Sequence, residues 1–245
     1  MNVLEVQGLT KHYPAFTLNG VSFAVSEGAV MGFIGRNGAG KSTTLKSILG
    51  MVHPDAGEVK VFGMDYAANE RAIRRELGVV LGGIDFYPKK KIRVITDVTR
   101  RFYDNWDEDK YRHYLRLFSI DEEKRVDQLS SGMKVKYMIA IALSHNARLL
   151  ILDEPTSGLD PVSRDELTEL LRRLVADGTR SVLFSTHITS DLEKCATHIA
   201  FIKDGELQYT GSLDDFRTHY KDMGATLEDI IVHVERRPLD ESAII

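Results

Sequence analysis

The chain has 245 residues, a formal net charge of -4 and a hydrophobic fraction of 43%, which fit one large domain or one domain with an inserted subdomain. The slightly acidic balance gives no overall attraction to nucleic acid, so no nucleic-acid partner is expected. The single cysteine, Cys195, excludes an intrachain disulfide. No apolar run approaches the roughly 20 residues of a membrane-spanning helix, and the N-terminus lacks a signal-peptide pattern.

The predicted strands fall into two kinds. Residues 3–6 and 21–25 show partial alternation of apolar and polar side chains, which predicts an N-terminal antiparallel sheet. Residues 29–34, 77–81, 149–152 and 181–185 are almost continuously apolar. Strands of that kind are typical of a parallel sheet covered on both faces by helices. With helical segments such as 41–49 and 165–176 between them, they predict a doubly wound α/β core of mainly parallel strands.

Two further regions differ from this core in their residue composition and spacing. Residues 92–146 lack buried-strand patterns and are polar, aromatic and helical in spacing, which predicts an inserted helical subdomain. The core with its antiparallel subdomain then comprises residues 1–91 and 147–210. Asp204-Gly205 predicts a hairpin between residues 200–202 and 206–209. Residues 211–245 are expected to form a charged tail of one or two helices with a disordered end.

The strongest motif is a glycine-rich loop directly after the predicted strand 29–34 and before a predicted helix. It matches G-x-x-x-x-G-K-[ST], the phosphate loop of nucleotide-binding proteins. Its backbone N–H groups are expected to face a phosphate chain at the positive end of the helix, with Lys41 on the β- and γ-phosphates and Ser42 on Mg²⁺. The alternative is a turn that binds nothing. The predicted nucleotide-binding residues of this loop are Gly35, Arg36, Asn37, Gly38, Ala39, Gly40, Lys41, Ser42 and Thr43.

Polar residues follow two of the other predicted strands. Asp153 and Glu154 come directly after residues 149–152, and His187 follows residues 181–185. Because ligands of doubly wound sheets bind at the carboxyl ends of the strands, Asp153 is expected near Mg²⁺ and Glu154 beside the attacking water as its base. His187 would hydrogen-bond the γ-phosphate or that water. The alternatives are a solvated acidic strand end and a structural histidine.

The order of these and two further motifs resembles the nucleotide-binding domain of the ATP-binding cassette (ABC) family. Leu129-Ser130-Ser131-Gly132-Met133 opens a predicted helix at the position of the family's signature, and Ser157-Gly158-Leu159-Asp160 stands at its D-loop. The resemblance covers roughly residues 3–211. It implies ATP and Mg²⁺ as ligands, an adenine-stacking role for Tyr13, and an interface role for Asp160.

The resemblance also implies partners and a location. Two such domains, either two copies of this chain or one copy and a related partner, pack head to tail. Each ATP is held between one phosphate loop and the signature of the other domain, which in this chain is Ser130, Ser131 and Gly132. A separate multi-span membrane subunit would hold the chain on the inner, cytoplasmic face of the cell membrane, and residues 226–232 are similar to a segment of exporter-type cassettes.

Two departures from the family pattern leave other functions open. Gly82 stands where the family has a glutamine that senses the membrane partner, and Ser131 and Met133 replace a glycine and a glutamine of the signature. The leading hypothesis is the ATPase subunit of a transporter, with an exporter role. The alternatives are a non-transport ABC ATPase and a slow regulatory cassette.

Overall fold

A computed structural model of the chain describes residues 1–81 and 87–236. The strands are β1 Asn2–Tyr13, β2 Phe16–Ser26, β3 Val30–Ile34, β4 Ala56–Val61, β5 Met64–Asp65, β6 Leu77–Leu81, β7 Leu149–Asp153, β8 Ser181–Thr186, β9 His198–Lys203 and β10 Glu206–Ser212. The helices are α1 Lys41–Ile48, α2 Tyr66–Arg75, α3 Ile92–Thr99, α4 Glu108–Leu117, α5 Ser131–Ser144, α6 Pro161–Leu174, α7 Thr189–Cys195, α8 Leu213–His219 and α9 Leu227–Glu235.

The main sheet has the strand order β10-β9-β3-β8-β7-β6. Neighbouring strands from β9 to β6 are parallel, and only the edge strand β10 runs antiparallel to its neighbour. All residues of β3 and β8 are buried, which explains why their sequences are apolar without alternation. The prediction of a mainly parallel α/β core is confirmed, as are the hairpin and each of the predicted strands that form it.

A second sheet, of order β2-β1-β4-β5, is antiparallel. Its first two strands have 12 and 11 residues, two to three times the length that the sequence predicts. Register shifts interrupt the pairing of these two strands. Gly8 and Gly20 adopt positive φ angles of 61° and 62°, a conformation that glycine enters without steric cost. Each irregularity breaks the alternation of apolar residues by which a strand is recognised, while the ladder of hydrogen bonds continues beyond it.

Two apolar clusters cover the two faces of the main sheet. One joins it to the antiparallel sheet and α1 through side chains such as Phe33, Ile151 and Leu183. The other packs α5, α6 and α7 on the opposite face, around residues such as Leu152 and Phe184. The central strands β3, β7 and β8 are therefore buried between two layers, and their ends are where polar side chains can meet a ligand.

Residues 92–144 contain α3, α4 and α5 and have an apolar cluster of their own. Inside it the hydroxyl of Thr96 lies 2.8 Å from the phenolic oxygens of both Tyr111 and Tyr137, so these buried polar groups satisfy one another. Helix α5 also packs on the main sheet and thereby joins the two bodies. The region is helical as expected, and the boundaries 92–146 stay a prediction.

The first part of the segment that follows β10 belongs to the core. Helices α8 and α9 bury Leu213, Phe216, Leu227 and Ile230 in the cluster under the main sheet. The expected disordered end falls on residues 237–245, which lie outside the described residues. In the described part of the chain, none of the helices is both long and apolar enough to cross a bilayer.

Candidate nucleotide-binding site

The candidate site lies at the carboxyl ends of β3, β8 and β7, which are neighbours in the sheet. The glycine-rich loop follows β3, His187 follows β8, and Asp153 ends β7 directly before Glu154. Parallel strands bring their carboxyl ends to one edge of a sheet, so residues more than 100 positions apart meet there. The sequence-based expectation that Lys41, Glu154 and His187 converge is confirmed.

The glycine-rich loop is shaped by backbone conformations and a close approach that favour glycine. Gly38 and Gly40 have φ angles of 86° and 114°, in the region that L side chains rarely adopt. A Cβ on Gly35 would lie only 2.3 Å from the carbonyl oxygen of Ile202 on β9. From the turn of the β9–β10 hairpin, the N–H of Gly205 donates to the carbonyl of Ala39 at 3.0 Å. The loop is therefore held against the sheet, with residues 36–38 exposed at its tip.

Lys41, at the start of α1, lies under this loop with 5% of its side chain exposed. Its amino group donates to the carbonyl oxygens of Gly35 at 2.7 Å and Arg36 at 3.2 Å. A buried ammonium group needs such partners because its charge is otherwise unsolvated. Ser42 and Thr43, the next two residues of the motif, are half-buried beside it. The cation therefore lies inside the curl of the loop that the motif predicts.

A chain of three charged or titratable side chains crosses the site. The Nζ of Lys41 lies 3.1 Å from Oε1 of Glu154, and Oε2 of Glu154 lies 2.8 Å from Nδ1 of His187. The lysine contact is an ion pair without hydrogen-bond geometry, since Oε1 is buried and has no hydrogen-bond partner among the described residues. His187 has 40% of its side chain exposed. The arrangement places a carboxylate between a buried cation and an accessible imidazole.

Glu154 is held in this position by its own backbone. Its φ angle is 48°, a left-handed conformation that costs a non-glycine residue of order 1 kcal/mol and is found most often at functional sites. The N–H of Glu154 donates to the hydroxyl of Ser185 on β8 at 2.8 Å, and that hydroxyl donates to Oδ1 of Asp153 at 2.5 Å. Ser185 thus fixes both carboxylate residues at the strand end.

The turn after Glu154 leads into α6. Asp160 caps this helix, because its carboxylate accepts hydrogen bonds from the N–H groups of Val162 and Ser163, both at 3.0 Å. Hydrogen bonds from Ser163 hold the pKa of Asp160 below its ordinary value. The helix therefore begins at Pro161 rather than at residue 165 as predicted, and Asp160 lies at the surface at its N-terminus.

The predicted signature residues lie at the start of α5. Ser130 is the N-cap of this helix and its hydroxyl accepts from the N–H of Met133 at 3.2 Å. Ser130 and Ser131 are exposed, whereas Gly132 is buried. A Cβ on Gly132 would lie 3.2 Å from the side chain of Ser163 on α6. The exposed start of α5 therefore lies beside the first turn of α6, and a role for these residues toward a second domain stays a prediction.

Tyr13 ends β1 and is 41% exposed. The strand end beside it is anchored because Asp55 accepts hydrogen bonds from Lys11 Nζ and His12 N, both at 2.7 Å. The hydrogen bond from Lys11 is the main reason that the pKa of Asp55 lies well below its ordinary value. The structure therefore offers an accessible aromatic ring at a fixed strand end, and the stacking role of Tyr13 stays a prediction.

Sequence reasoning missed several residues of this site. Ser185 lies within a predicted apolar strand, and nothing in its pattern indicates that its hydroxyl links two carboxylates. Phe16 also packs against the loop, where a Cβ on Gly40 would lie 2.9 Å from its ring. Asp191, fully buried behind His187, had no motif to mark it. Gly82, where the glutamine of the family pattern is missing, lies outside the described residues.

Comparison with known proteins agrees with this geometry. A family model described as ABC transporter matches residues 18–157, more than half of the chain. This chain belongs to the ABC transporter family.

Curated relatives of this ABC transporter family protein include transport ATP-binding proteins. It is similar to the bacitracin transport ATP-binding protein BcrA of Bacillus licheniformis, with 32% identity over 208 residues, 84% of this chain and 68% of the relative. It is also similar to the Nod factor export ATP-binding protein I of Burkholderia orbicola, with 33% identity over 208 residues, 82% of this chain and 68% of the relative.

Solved structures show the same fold. An ATP-binding subunit of an ABC transporter superposes with a TM-score of 0.84 at 30% identity, over 95% of this chain and 99% of that one. A dimeric ATP-binding cassette bound to ADP and phosphate superposes with a TM-score of 0.75 at 23% identity, over 86% of this chain and 98% of that one. The second likeness concerns the fold alone. An ATP-binding role follows from the family, and the parts played by individual residues are proposed below.

Proposed function

We propose that this chain is the ATP-hydrolysing subunit of an exporter, working as a head-to-tail dimer beneath a separate membrane subunit. The observation that carries the proposal is the convergence of Lys41, Glu154 and His187 at one sheet edge. The name of the bacitracin relative supports a role in transport, and that of the Nod factor relative supports export as the direction. The residues of the site account for hydrolysis as follows.

Lys41 and Glu154 form an ion pair. When phosphate oxygens approach the loop, the amino group of Lys41 exchanges its contacts with Gly35, Arg36 and Glu154 for contacts with the β- and γ-phosphates. Glu154 then loses its neighbouring cation, and its carboxylate is available to accept a proton from the attacking water. His187 remains in contact with Glu154 Oε2 and keeps that carboxylate oriented.

Ser42 and Asp153 are the residues that would hold Mg²⁺. Both are half-buried, and neither the Ser42 hydroxyl nor Oδ2 of Asp153 has a hydrogen-bond partner within residues 1–81 and 87–236. Two oxygen donors fit Mg²⁺, which keeps several waters and takes its remaining ligands from phosphates. The ion would supply positive charge to the phosphates during transfer.

Hydrolysis is tested by steady-state ATPase assays on purified protein. Glu154→Gln keeps the size of the side chain and removes the base, so turnover should fall at least about a hundredfold while ATP binding persists. Glu58→Gln changes an exposed glutamate on β4 and serves as the control. Normal turnover of Glu154→Gln would show that another group accepts the proton.

Nucleotide binding is tested at the phosphate loop. Lys41→Ala should abolish tight ATP binding, because the cation inside the loop's curl is lost. Lys46→Ala, on the exposed face of the same helix, should bind ATP like the wild type. Binding is measured by titration with a fluorescent ATP analogue. Retained binding by Lys41→Ala would refute the assignment of the loop.

The exposed start of α5 supports the proposed dimer. A helix N-terminus with free N–H groups attracts phosphate, and Ser130 and Ser131 present this end to the outside. The Glu154→Gln variant should keep bound ATP intact. Size-exclusion chromatography with light scattering should therefore detect a dimer of this variant when ATP is added. Ser130→Glu adds a negative charge at this end and should keep the same variant monomeric.

The membrane subunit would dock in a groove between α2 and the helical region. The groove has a cavity of about 320 Å³ lined by residues that include Tyr66, Arg74 and Tyr103. Close by, Val94, Val98 and Phe102 are 42%, 54% and 71% exposed, and apolar side chains exposed together favour an interaction surface. A chain docked there would lie against the inner face of the cell membrane without entering it.

The rim of this groove carries two arginines, Arg71 and Arg101, that have no ion-pair partner within the described residues. They favour an acidic segment on the partner. Arg71→Glu with Arg101→Glu should lose a multi-span membrane protein that the wild type carries through purification from detergent-solubilised membranes. Arg116→Glu, on the exposed side of α4, is the control. Recovery of ribosomes or nucleic acid with the wild type would favour a non-transport ATPase.

A slow regulatory cassette is the second candidate. Met133, in place of the signature glutamine, packs its side chain against the apolar cluster of the helical region. Because a methionine side chain has no amide, it cannot make the hydrogen bond that a glutamine could make across a dimer interface. This observation favours a site that turns over slowly while binding ATP.

A further inference from the structure

A buried hydrogen bond lies behind the candidate catalytic residues. The hydroxyl of Thr156 donates to Oδ2 of Asp191 at 2.6 Å, and both residues are fully buried. Burial raises the pKa of the Asp191 carboxyl. A carboxyl group buried so deeply is costly unless it is hydrogen-bonded, so the contact with Thr156 has a strong influence on how the two segments pack.

This hydrogen bond joins the two segments that carry Glu154 and His187. Thr156 follows Glu154 by two residues, in the turn where the N–H of Ser157 donates to the carbonyl of Glu154 at 3.1 Å. Asp191 follows His187 by four residues and lies on α7. The segments therefore touch twice, at the accessible Glu154–His187 contact of 2.8 Å and at the buried Thr156–Asp191 contact.

The second oxygen of Asp191 has no comparable partner. Among residues 1–81 and 87–236, Oδ1 is buried without a hydrogen bond. Its ion-pair contact there is Arg164, whose Nε lies 4.0 Å away and is itself buried without an acceptor in the same part of the chain. Arg164 belongs to the first turns of α6, the helix that Asp160 caps. At this separation the ion pair lacks a hydrogen bond, so within the described part of the chain the carboxylate of Asp191 depends on Thr156 for its hydrogen bond.

We propose that Asp191 is a positioning residue for ATP hydrolysis: by accepting the hydrogen bond of Thr156, it holds the turn after Glu154 against the helix after His187 and so fixes the contact between these two side chains. This inference rests on the proposed ATPase function. Neither Thr156 nor Asp191 reaches the accessible part of the site, so both act only through Glu154 and His187.

Kinetics of threonine variants test the proposal. Thr156→Val keeps the shape and removes the hydroxyl, and kcat should fall roughly ten- to a hundredfold because the base and its imidazole partner lose their alignment. KM for ATP should stay the same, since the phosphate loop is unchanged. Thr156→Ser restores a hydroxyl and should restore kcat. Thr168→Val removes an equally buried hydroxyl that bonds only to carbonyls of its own helix, and should leave kcat unchanged.

A second measurement needs no hydrolysis. The imidazole Cε1–H resonance of His187, assigned by its loss in His187→Ala, should shift when Glu154→Gln alters the contact. In Thr156→Val it should move in the same direction, and in Thr156→Ser it should stay at the wild-type position. If Thr156→Val unfolds, because Asp191 is left without a donor, Thr156→Val with Asp191→Leu replaces both partners by apolar groups. That double variant should fold and still be slow.

The outcomes separate the two claims. If Thr156→Val, or the double variant, has the kcat of the wild type and an unshifted His187 resonance, the positioning role is overturned. The ATPase proposal then stays intact. A wild-type chain that hydrolyses no ATP overturns the proposed function and the positioning role together.

Discussion

Acid should destabilise this protein through one buried histidine. His145 is 1% exposed, at the junction between the helical region and the main sheet. Its ring stacks on Tyr103 with centroids 3.8 Å apart, and its Nδ1 lies 3.2 Å from the carbonyl oxygen of Arg75. Nδ1 therefore carries the proton of the neutral ring, and this N–H donates a hydrogen bond to that carbonyl oxygen. Burial lowers the pKa of His145 from 6.5 to about 4.

The size and sign of the effect follow from proton binding. Between about pH 6.5 and pH 4 the unfolded chain binds a proton at this position and the folded chain does not, so stability falls as the pH is lowered through that range. A difference of about 2.5 in pKa, at about 1.4 kcal/mol for each pKa unit, corresponds to about 3 kcal/mol. Above about pH 6.5 the contribution is constant.

Urea unfolding between pH 7.5 and pH 4 measures this loss. His145→Gln removes the titrating group, so its free energy of unfolding should fall by about 3 kcal/mol less than that of the wild type over the same range. His113→Gln, at an exposed histidine on α4, should follow the wild type. Parallel curves for the wild type and His145→Gln would refute the reasoning, since other groups would then account for all of the acid sensitivity.

Three further predictions concern the site. Gly35→Ala should lower the free energy of unfolding, measured with urea, by roughly 1–3 kcal/mol. It should also lower ATP affinity. Both effects are expected because the new Cβ would lie 2.3 Å from the Ile202 carbonyl oxygen. Tyr13→Ala should weaken ATP and GTP binding alike, roughly tenfold in fluorescence titrations, whereas Tyr13→Phe keeps the stacking ring; unequal losses would contradict stacking. Ser131→Gly with Met133→Gln should raise steady-state turnover, and an unchanged rate would contradict a slowed signature.

The fold was predictable where one physical requirement dominates the residue pattern. Strands buried on both faces need apolar side chains throughout, which made β3, β6, β7 and β8 recognisable. The strands β4 and β5 and the helix α2 were not predicted. Residues 56–65 have mainly exposed or half-buried side chains. Alternation of polar and apolar side chains is confined to residues 58–61 of β4, which is about the shortest run from which a strand is inferred.

The site divides in the same way. Lys41, Glu154 and His187 follow strand ends in a recognisable order, so their convergence at one edge of the sheet could be predicted from the sequence. Ser185 and Asp191 act through contacts between segments that are 31 to 35 residues apart, and their residue types are ordinary in a strand and a helix. The start of α6 had a usable signal that was missed, since Asp160 followed by proline is a typical N-cap and first helical residue.

The C-terminal helix has a practical consequence for enzymology. Helix α9 contacts α7, and Leu227 and Ile230 share an apolar cluster with Leu192 on that helix. Shortening the chain before α9, or fusing a bulky reporter within it, would leave one side of α7 facing water. Because His187 directly precedes α7, turnover numbers from such shortened or fused proteins would describe an altered catalyst, even where the phosphate loop still binds its nucleotide.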